Sequence, residues 1–314
     1  MKEFFKYWFE IMRRFFYRLT EINKYFELYI IIASILILSQ NLNAQGTPRI
    51  FINEFLAASL STNPDMVDFG DFSDWIELYN DENTNVNIGG FYLTDDFTLP
   101  MKWRIPSNTV IPAKGFYLIW ADGYNDIPGR TYTRNWWPNN IQFTTKWCHT
   151  NFKLDKEGEG IGLFDDAGNK IDSVVFSNQA FDASYGRKPD GSNTWYYFGE
   201  PTPLASNTSI GINNTNISAD VNFSVEGGFY QGAFQVILSS SSGNGIIHYT
   251  TDGSIPKSTS AQYLSPITVD KNAILRARVF ENSKLPGKVF TNSYFINETR
   301  NLPVVSYVSD PKFL

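Results

Sequence analysis

Four aspartates recur at every third position, Asp65, Asp68, Asp71 and Asp74. An oxygen-rich set of this kind can hold calcium, which takes six to eight oxygen ligands. The EF-hand pattern, with its central Gly and closing Glu, is not met. The competing reading is a solvated acidic loop whose aspartates cap turns by accepting backbone N–H bonds. Asp155, Glu157 and Glu159, with Asp165 and Asp166, form a second acidic patch open to the same two readings. Tyr132, Trp136, Trp137 and Trp147 gather in the long segment between Gly123 and His149. Exposed aromatic rings can stack on the apolar face of a sugar ring; the alternative is that they fold down as a cover over a core.

Other chemistry is thinly represented. The two histidines, His149 and His248, fall in separate predicted domains, which argues against a shared metal site or a Ser/His/Asp triad. The single cysteine, Cys148, allows no internal disulfide and reads as a small buried hydrophobe. It adjoins His149, but neighbours on an extended strand point to opposite faces, so the two are badly placed as nucleophile and base. Gly158-Glu-Gly160 and Gly243-Asn-Gly245 lack the Lys that follows a phosphate-cradling loop and read as turns. No catalytic residue is assigned, and calcium is the only cofactor the pattern admits.

The elements that must position these residues are strands. Aromatics make up 16% of the 314 residues and charged residues 18%. Helical periodicity is absent after residue 45, and Gly, Asn, Ser and Thr are frequent, as in all-β modules. In Trp75–Asn80, Ile76 and Leu78 alternate with Trp75, Glu77 and Tyr79. Phe116, Leu118 and Trp120 alternate with Tyr117 and Ile119. Ala273, Leu275, Ala277 and Val279 share a face opposite Arg276 and Arg278. Short strands with such punctuation predict antiparallel sandwiches rather than βαβ units. The leader holds six Lys or Arg and four Asp or Glu, which leaves 20 basic and 28 acidic residues in the body. An acidic body argues against nucleic acid as a partner.

The blocks Asp71-Phe-Ser-Asp-Trp-Ile-Glu-Leu-Tyr-Asn80, Gly90-Phe-Tyr-Leu-Thr-Asp-Asp96, Lys102-Trp-Arg-Ile-Pro106, Val110-Ile-Pro112 and Gly115-Phe-Tyr-Leu-Ile-Trp-Ala-Asp-Gly123 continue through His149-Thr-Asn-Phe-Lys-Leu154, Gly160-Ile-Gly-Leu-Phe-Asp165, Ile171-Asp-Ser-Val174, Ser184-Tyr-Gly-Arg187 and Pro201-Thr-Pro203. In that order they resemble the lamin-tail domain. The resemblance implies an immunoglobulin-like sandwich acting as a scaffold or adhesion module, not an enzyme. Further on, Tyr249-Thr-Thr-Asp-Gly-Ser-Ile-Pro256 and the strand to Phe280 resemble the chitobiase/hexosaminidase C-terminal module, a fibronectin-III-like sandwich. The catalytic barrel that accompanies it in sugar-cleaving enzymes has no counterpart here. Leu302-Pro-Val-Val-Ser-Tyr-Val-Ser-Asp-Pro311 is similar to the entry strand of CotH-type kinase domains of secreted bacterial proteins.

The expected order is a signal peptide or signal-anchor over 1–44, a lamin-tail domain over 45–205, a polar linker over 206–219, a second sandwich over 220–297, and over 298–314 the start of a further domain, not stably folded alone. The fold class is all-β, two antiparallel sandwiches behind an N-terminal signal helix. The apolar run 28–38 is shorter than the roughly 20 residues a bilayer core requires, and follows basic residues, so cleavage after Ala44 and export are expected. Contact with membrane is expected only through an uncleaved leader. Three functions stand open: non-catalytic binding or scaffold modules at the cell surface with a protein or polysaccharide partner, the front end of a CotH-type kinase continuing past Leu314, and a carbohydrate-binding accessory.

Overall fold

The computed structural model describes residues 6, 9–14, 47–65, 68, 70–135, 140–299 and 303–311. The chain divides into two units, Met1–Pro48 and Arg49–Leu314. In the first, residues 9–14 are helical. The apolar run 28–38 and Ala44 lie outside the described residues, among which no helix is long and apolar enough to cross a membrane.

The second unit is built of strands. A six-stranded sheet runs in the order Cys148–His149, Phe116–Trp120, Trp75–Asn80, Ile50–Leu56, Ser184–Arg187, Trp195–Phe198. Against it packs a four-stranded sheet of Lys170–Val175, Gly160–Phe164, Tyr92–Thr94 and Trp103–Arg104. Alternation decides which side chains enter the core between them. Ile50, Ile52, Ile76, Leu78, Ile119 and Cys148 do so, meeting Leu93, Trp103, Ile161 and Leu163 of the facing sheet. The other face of the large sheet is also covered: Leu56, Trp75, Leu118 and Trp120 form a second cluster, with Trp147 packed against it. Every residue of Trp75–Asn80 is therefore buried, where a one-sided sheet would leave half of them wet.

One buried ion pair ties the two sheets together. Arg187 Nη2 donates to both oxygens of Asp172, at 3.0 and 2.9 Å. Its Nε donates to Ile52 O at 2.8 Å, and Ile52 N donates to Asp172 Oδ2 at 2.8 Å. The guanidinium lies over the rings of Trp195 and Phe51. The planar fork satisfies a carboxylate, a backbone carbonyl and two ring faces at once, which an ammonium could not.

In the second sandwich a five-stranded sheet runs Gly228–Tyr230, Phe290–Ile296, Ala273–Phe280, Ile246–Thr250, Ala261–Gln262. The pairs Val221–Phe223 with Leu238–Ser240 and Phe234–Val236 with Ile267–Val269 complete it around Val221, Val236, Leu238, Val269, Leu275, Ala277, Val279 and Tyr294.

Residues 206–219, whose composition suggests a linker, are held at many points. Asn207 is buried and donates to Arg187 O. Tyr197 and Ile212 exchange backbone bonds of 2.8 and 2.9 Å, and Ser218 N and Leu285 N donate to Leu285 O and Asn216 O. The polar side chains satisfy backbone groups that a solvated linker would leave to water. Residues 303–310 carry no strand. Ser306 Oγ lies 2.7 Å from Ser293 Oγ and Asp310 accepts Ile255 N, while Val305 and Tyr307 are each 90% exposed.

Candidate functional site

The strand pair Phe116–Trp120 and Cys148–His149 runs parallel, with Cys148 opposite Ile119 and His149 opposite Trp120. Extended geometry sends the two side chains to opposite faces. Cys148 goes into the main core, its Sγ 3.2 Å from Tyr117 Oη, and burial pushes its thiol up to about 11. It is an inert core residue. His149 goes to the other side, into a buried acidic pocket.

Asp65 and Asp68 arrive there from the loop between Ile50–Leu56 and Trp75–Asn80. Asp65 N donates to Asp71 O at 2.8 Å, Gly70 N to Asp65 O at 2.6 Å, and Asp68 N to Asp65 Oδ1 at 3.1 Å. The three-residue spacing thus closes a small loop. Asp68 also accepts Lys146 N and Trp147 N, each at 2.8 Å, which fastens the loop to the chain just before His149. His149 Nδ1 lies 2.6 Å from Asp122 Oδ2; Nε2 lies 3.2 Å from Asp68 Oδ2 and 3.8 Å from Asp65 Oδ2. All four side chains are buried.

Two forces act on the imidazole. Burial alone would lower its pKa. The hydrogen bond and charge of Asp122, the hydrogen bond to Asp68 and the charge of Asp65 oppose burial and leave it raised. The protonated ring binds carboxylates through both nitrogens. A neutral ring with its proton on Nδ1 toward Asp122 would present the Nε2 lone pair beside Asp65 and Asp68, the carboxylate–histidine arrangement that supports metal ligands. Among the described residues, Asp65, Asp68 and His149 can bring one ligand atom each within 4.8 Å of the others. One nitrogen and two carboxylates fit a first-row transition ion better than calcium.

The four spaced aspartates do not act as one set. Asp71 accepts Tyr124 Oη at 3.0 Å and Ser73 Oγ at 3.0 Å. Asp74 accepts Ser59 N at 3.0 Å, and burial raises its pKa to about 6. His149 and Asp122 were absent from the expected set because they lie far along the chain; the only sequence signal was their place in the blocks ending Asp122-Gly123 and beginning His149-Thr150. The second acidic patch is made of turns: Asp155 accepts Glu157 N, and Asp165 accepts Ala167 N and Asn169 N. Of the aromatic set, Trp147 is half-buried against Trp75 and Trp120, with Lys146 Nζ 5.0 Å from its ring centroid. Tyr132, half-buried, pairs with Phe143 in the ribbon Thr131–Asn135 and Asn140–Thr144. Trp136 and Trp137 lie outside the described residues. His248 is a strand residue of the second sandwich, its Nδ1 2.7 Å from Ser260 O.

The blocks that carried the family resemblance converge on one other place. Glu54 and Glu77 are cross-strand partners. Glu54 accepts Thr202 N at 3.2 Å and the Ser184 hydroxyl; Glu77 accepts Leu204 N and Asn53 Nδ2. The Pro201-Thr-Pro203 block is thereby anchored. Burial raises Glu54 to about 7, and burial with the charge of Glu54 raises Glu77 to about 9. Asn80 serves the same structural end, donating to Thr84 O, Ile111 O and Pro112 O.

No curated protein and no solved structure matches the chain. Residues 43–178 match the family model of the Lamin Tail Domain, and residues 225–291 that of the Chitobiase/beta-hexosaminidase C-terminal domain. With the two sandwiches in that order, the chain carries a lamin tail domain followed by a chitobiase/hexosaminidase C-terminal domain, both β-sandwich modules of the binding or scaffold kind.

Proposed function

We propose that this chain supplies non-catalytic binding and spacer modules to a secreted or surface-attached bacterial protein. The observation that carries the reading is the junction of the two sandwiches. Ala180 and Ala183 of the lamin tail domain pack with Ile212 and with Leu285 of the second sandwich, and Tyr197 leans on the cluster. Glu200 accepts Ser258 N at 2.7 Å, and Asn214 Nδ2 donates to Ser283 O at 3.2 Å. Pro286 sits so close over Gly199 that a Cβ there would meet it at 2.0 Å. Modules joined through such contacts favour one relative orientation, which suits display and tethering. The buried state of Cys148 and His149 removes the residues best suited to nucleophilic or base chemistry from contact with a substrate.

The short apolar run with its basic flank supports export, and with it the surface role. Fractionation of bacteria producing the chain with a tag after Leu314 tests it. The expected product is extracytoplasmic and begins at Gln45; full-length chain in the cytoplasm overturns the reading. A product with its leader intact and sedimenting with membranes would replace secretion by anchoring. A second reading places the modules ahead of a CotH-type kinase domain. Exposed Val305 and Tyr307, in the segment similar to that domain's entry strand, favour it. The downstream coding sequence tests it directly.

A further inference from the structure

On Ala273–Phe280, Leu275, Ala277 and Val279 enter the second core, so Arg276 and Arg278 stand on the opposite face, about 7 Å apart along the strand. The strand is third of five in its sheet. Over the two arginines opens a cleft of about 560 Å³, whose facing wall is the lamin tail domain, including Asn63, Phe181 and Glu200.

The cleft is rich in donors, two of which lack an acceptor among the described residues. Arg278 Nε donates to Gly287 O at 2.9 Å, and Arg276 Nη1 to Gly253 O at 2.6 Å. Arg276 Nε and, on the facing wall, Asn63 Nδ2 are buried without a hydrogen-bond partner among the described residues. Such groups are costly unless something satisfies them. The carboxylates nearby are engaged: Asp182 accepts Leu60 N, Ser61 N and Ser61 Oγ, and Glu200 accepts Ser258 N. Lys257 and Lys288 add two more cations to the lining. Burial pushes Arg278 down to about 10, against the opposing charges of Glu200 and Asp182, and pushes Arg276 down against that of Asp310. A concentration of cations is thus held in a chain whose net charge is -6.

We propose that this cleft binds an acidic oligosaccharide, seating a carboxylate or sulfate group on Arg276, Arg278 and Asn63. Guanidinium forks and an amide N–H₂ match planar or tetrahedral oxyanions. The volume lies within the range of small-ligand sites. Phe181, 54% exposed beside it, carries Lys156 Nζ over its ring at 5.4 Å from the centroid, so a pyranose would stack on its other face. An extended peptide would need a strand edge to pair with, and the arginines lie mid-sheet. A long polyanion would meet the acidic surface of the rest of the chain. This deepens the binding-module reading and rests on it.

Titration calorimetry of the purified full chain tests the proposal with four probes of similar size: an oligogalacturonate, a sulfated oligosaccharide, a neutral oligosaccharide and an oligoglutamate peptide. Binding of one or both acidic sugars is expected, the stronger of them naming the source of the anion, with no heat from the neutral sugar. Arg278→Met and Arg276→Met should each weaken it at least tenfold, while Lys170→Met, at an exposed lysine outside the cleft, leaves it unchanged. Should either arginine variant unfold, Asn63→Gly, which keeps the left-handed backbone of this residue, carries the test and is expected to weaken binding severalfold while the variant still melts cooperatively. Absence of binding by both acidic sugars at millimolar concentration overturns the proposal. So does equal binding of the neutral sugar, equal binding of the peptide, or indifference to the cleft substitutions. Binding in solution does not depend on export, so failure here removes the cleft while the fractionation result still decides the module reading.

Discussion

At the scale of residues, His149 shows how a polar group far from water is kept. Its ring lies between Asp122 and Asp68, with Asp65 next to it. Removing it would leave buried carboxylates facing one another. His149→Ala is expected to cost about 3–5 kcal/mol, as for one partner lost from a buried ion pair, measured by urea denaturation at pH 6. Its pKa is raised on folding, so the stability it contributes is full below the unfolded value near 6.5 and is lost as pH rises through the folded one. Arg187→Lys would keep the charge at Asp172 but lose the fork, the bond to Ile52 O and the contact with Trp195. A loss of about 2–4 kcal/mol is expected in the same assay; a change below about 0.5 kcal/mol would refute the clamp. Residue types alone are misleading here. Asp65 to Asp74 look like one oxygen cluster, yet the loop turns only Asp65 and Asp68 inward, and their partner His149 comes from a strand 81 positions on from Asp68. No local pattern encodes a contact of that separation.

At the scale of elements, more was readable. The alternation in Trp75–Asn80, Phe116–Trp120 and Ala273–Phe280 sorts the side chains onto the two faces that the structure shows, because strand geometry leaves a side chain only two directions. What alternation could not show is that the first two strands are covered on both faces, so Glu77, expected to share the face of Trp75 and Tyr79, is buried as well. Its pairing with Glu54 has a measurable consequence. Both carboxyls have folded pKa values, about 7 and about 9, above the reference value of 4.5. The native state therefore binds protons that the unfolded chain releases, and stability falls as pH rises from about 4.5 through 9. A tenfold difference in proton affinity between the folded and unfolded chain is worth about 1.4 kcal/mol, so the decline across this range amounts to several kcal/mol. Glu77→Gln should flatten this decline and melt higher than the parent at pH 8.5. At pH 5 it should melt lower, because its amide N–H₂ must face one of the donors Asn53 Nδ2 and Leu204 N. A parent melting temperature that climbs steadily between pH 5 and 8.5 would contradict the assignment.

At the scale of the whole second unit, the junction decides whether the two sandwiches act together. Composition marked residues 206–219 as a linker, since Asn, Ser and Thr are the usual material of solvated chain. The same side chains are equally good at satisfying backbone groups in a fixed path, and composition cannot distinguish the uses. Here Ile212 and Leu285 are buried together with Ala180 and Ala183, and Ser218 Oγ donates to Leu285 O at 2.8 Å. The cluster is small; burying two such aliphatic side chains contributes about 3–6 kcal/mol, enough to couple two modules but less than either core. Leu285→Ser should therefore leave both cores folded and uncouple them. The parent is expected to resist proteolysis within 206–219 and to melt in one transition. The variant should be cut there first, yielding two compact pieces, and melt in two transitions with the scattering radius of gyration increased. Cleavage of the parent within 206–219 at the rate of the variant would mean that the modules swing freely, and the cleft formed by Arg276, Arg278 and Asn63 would then have no fixed facing wall.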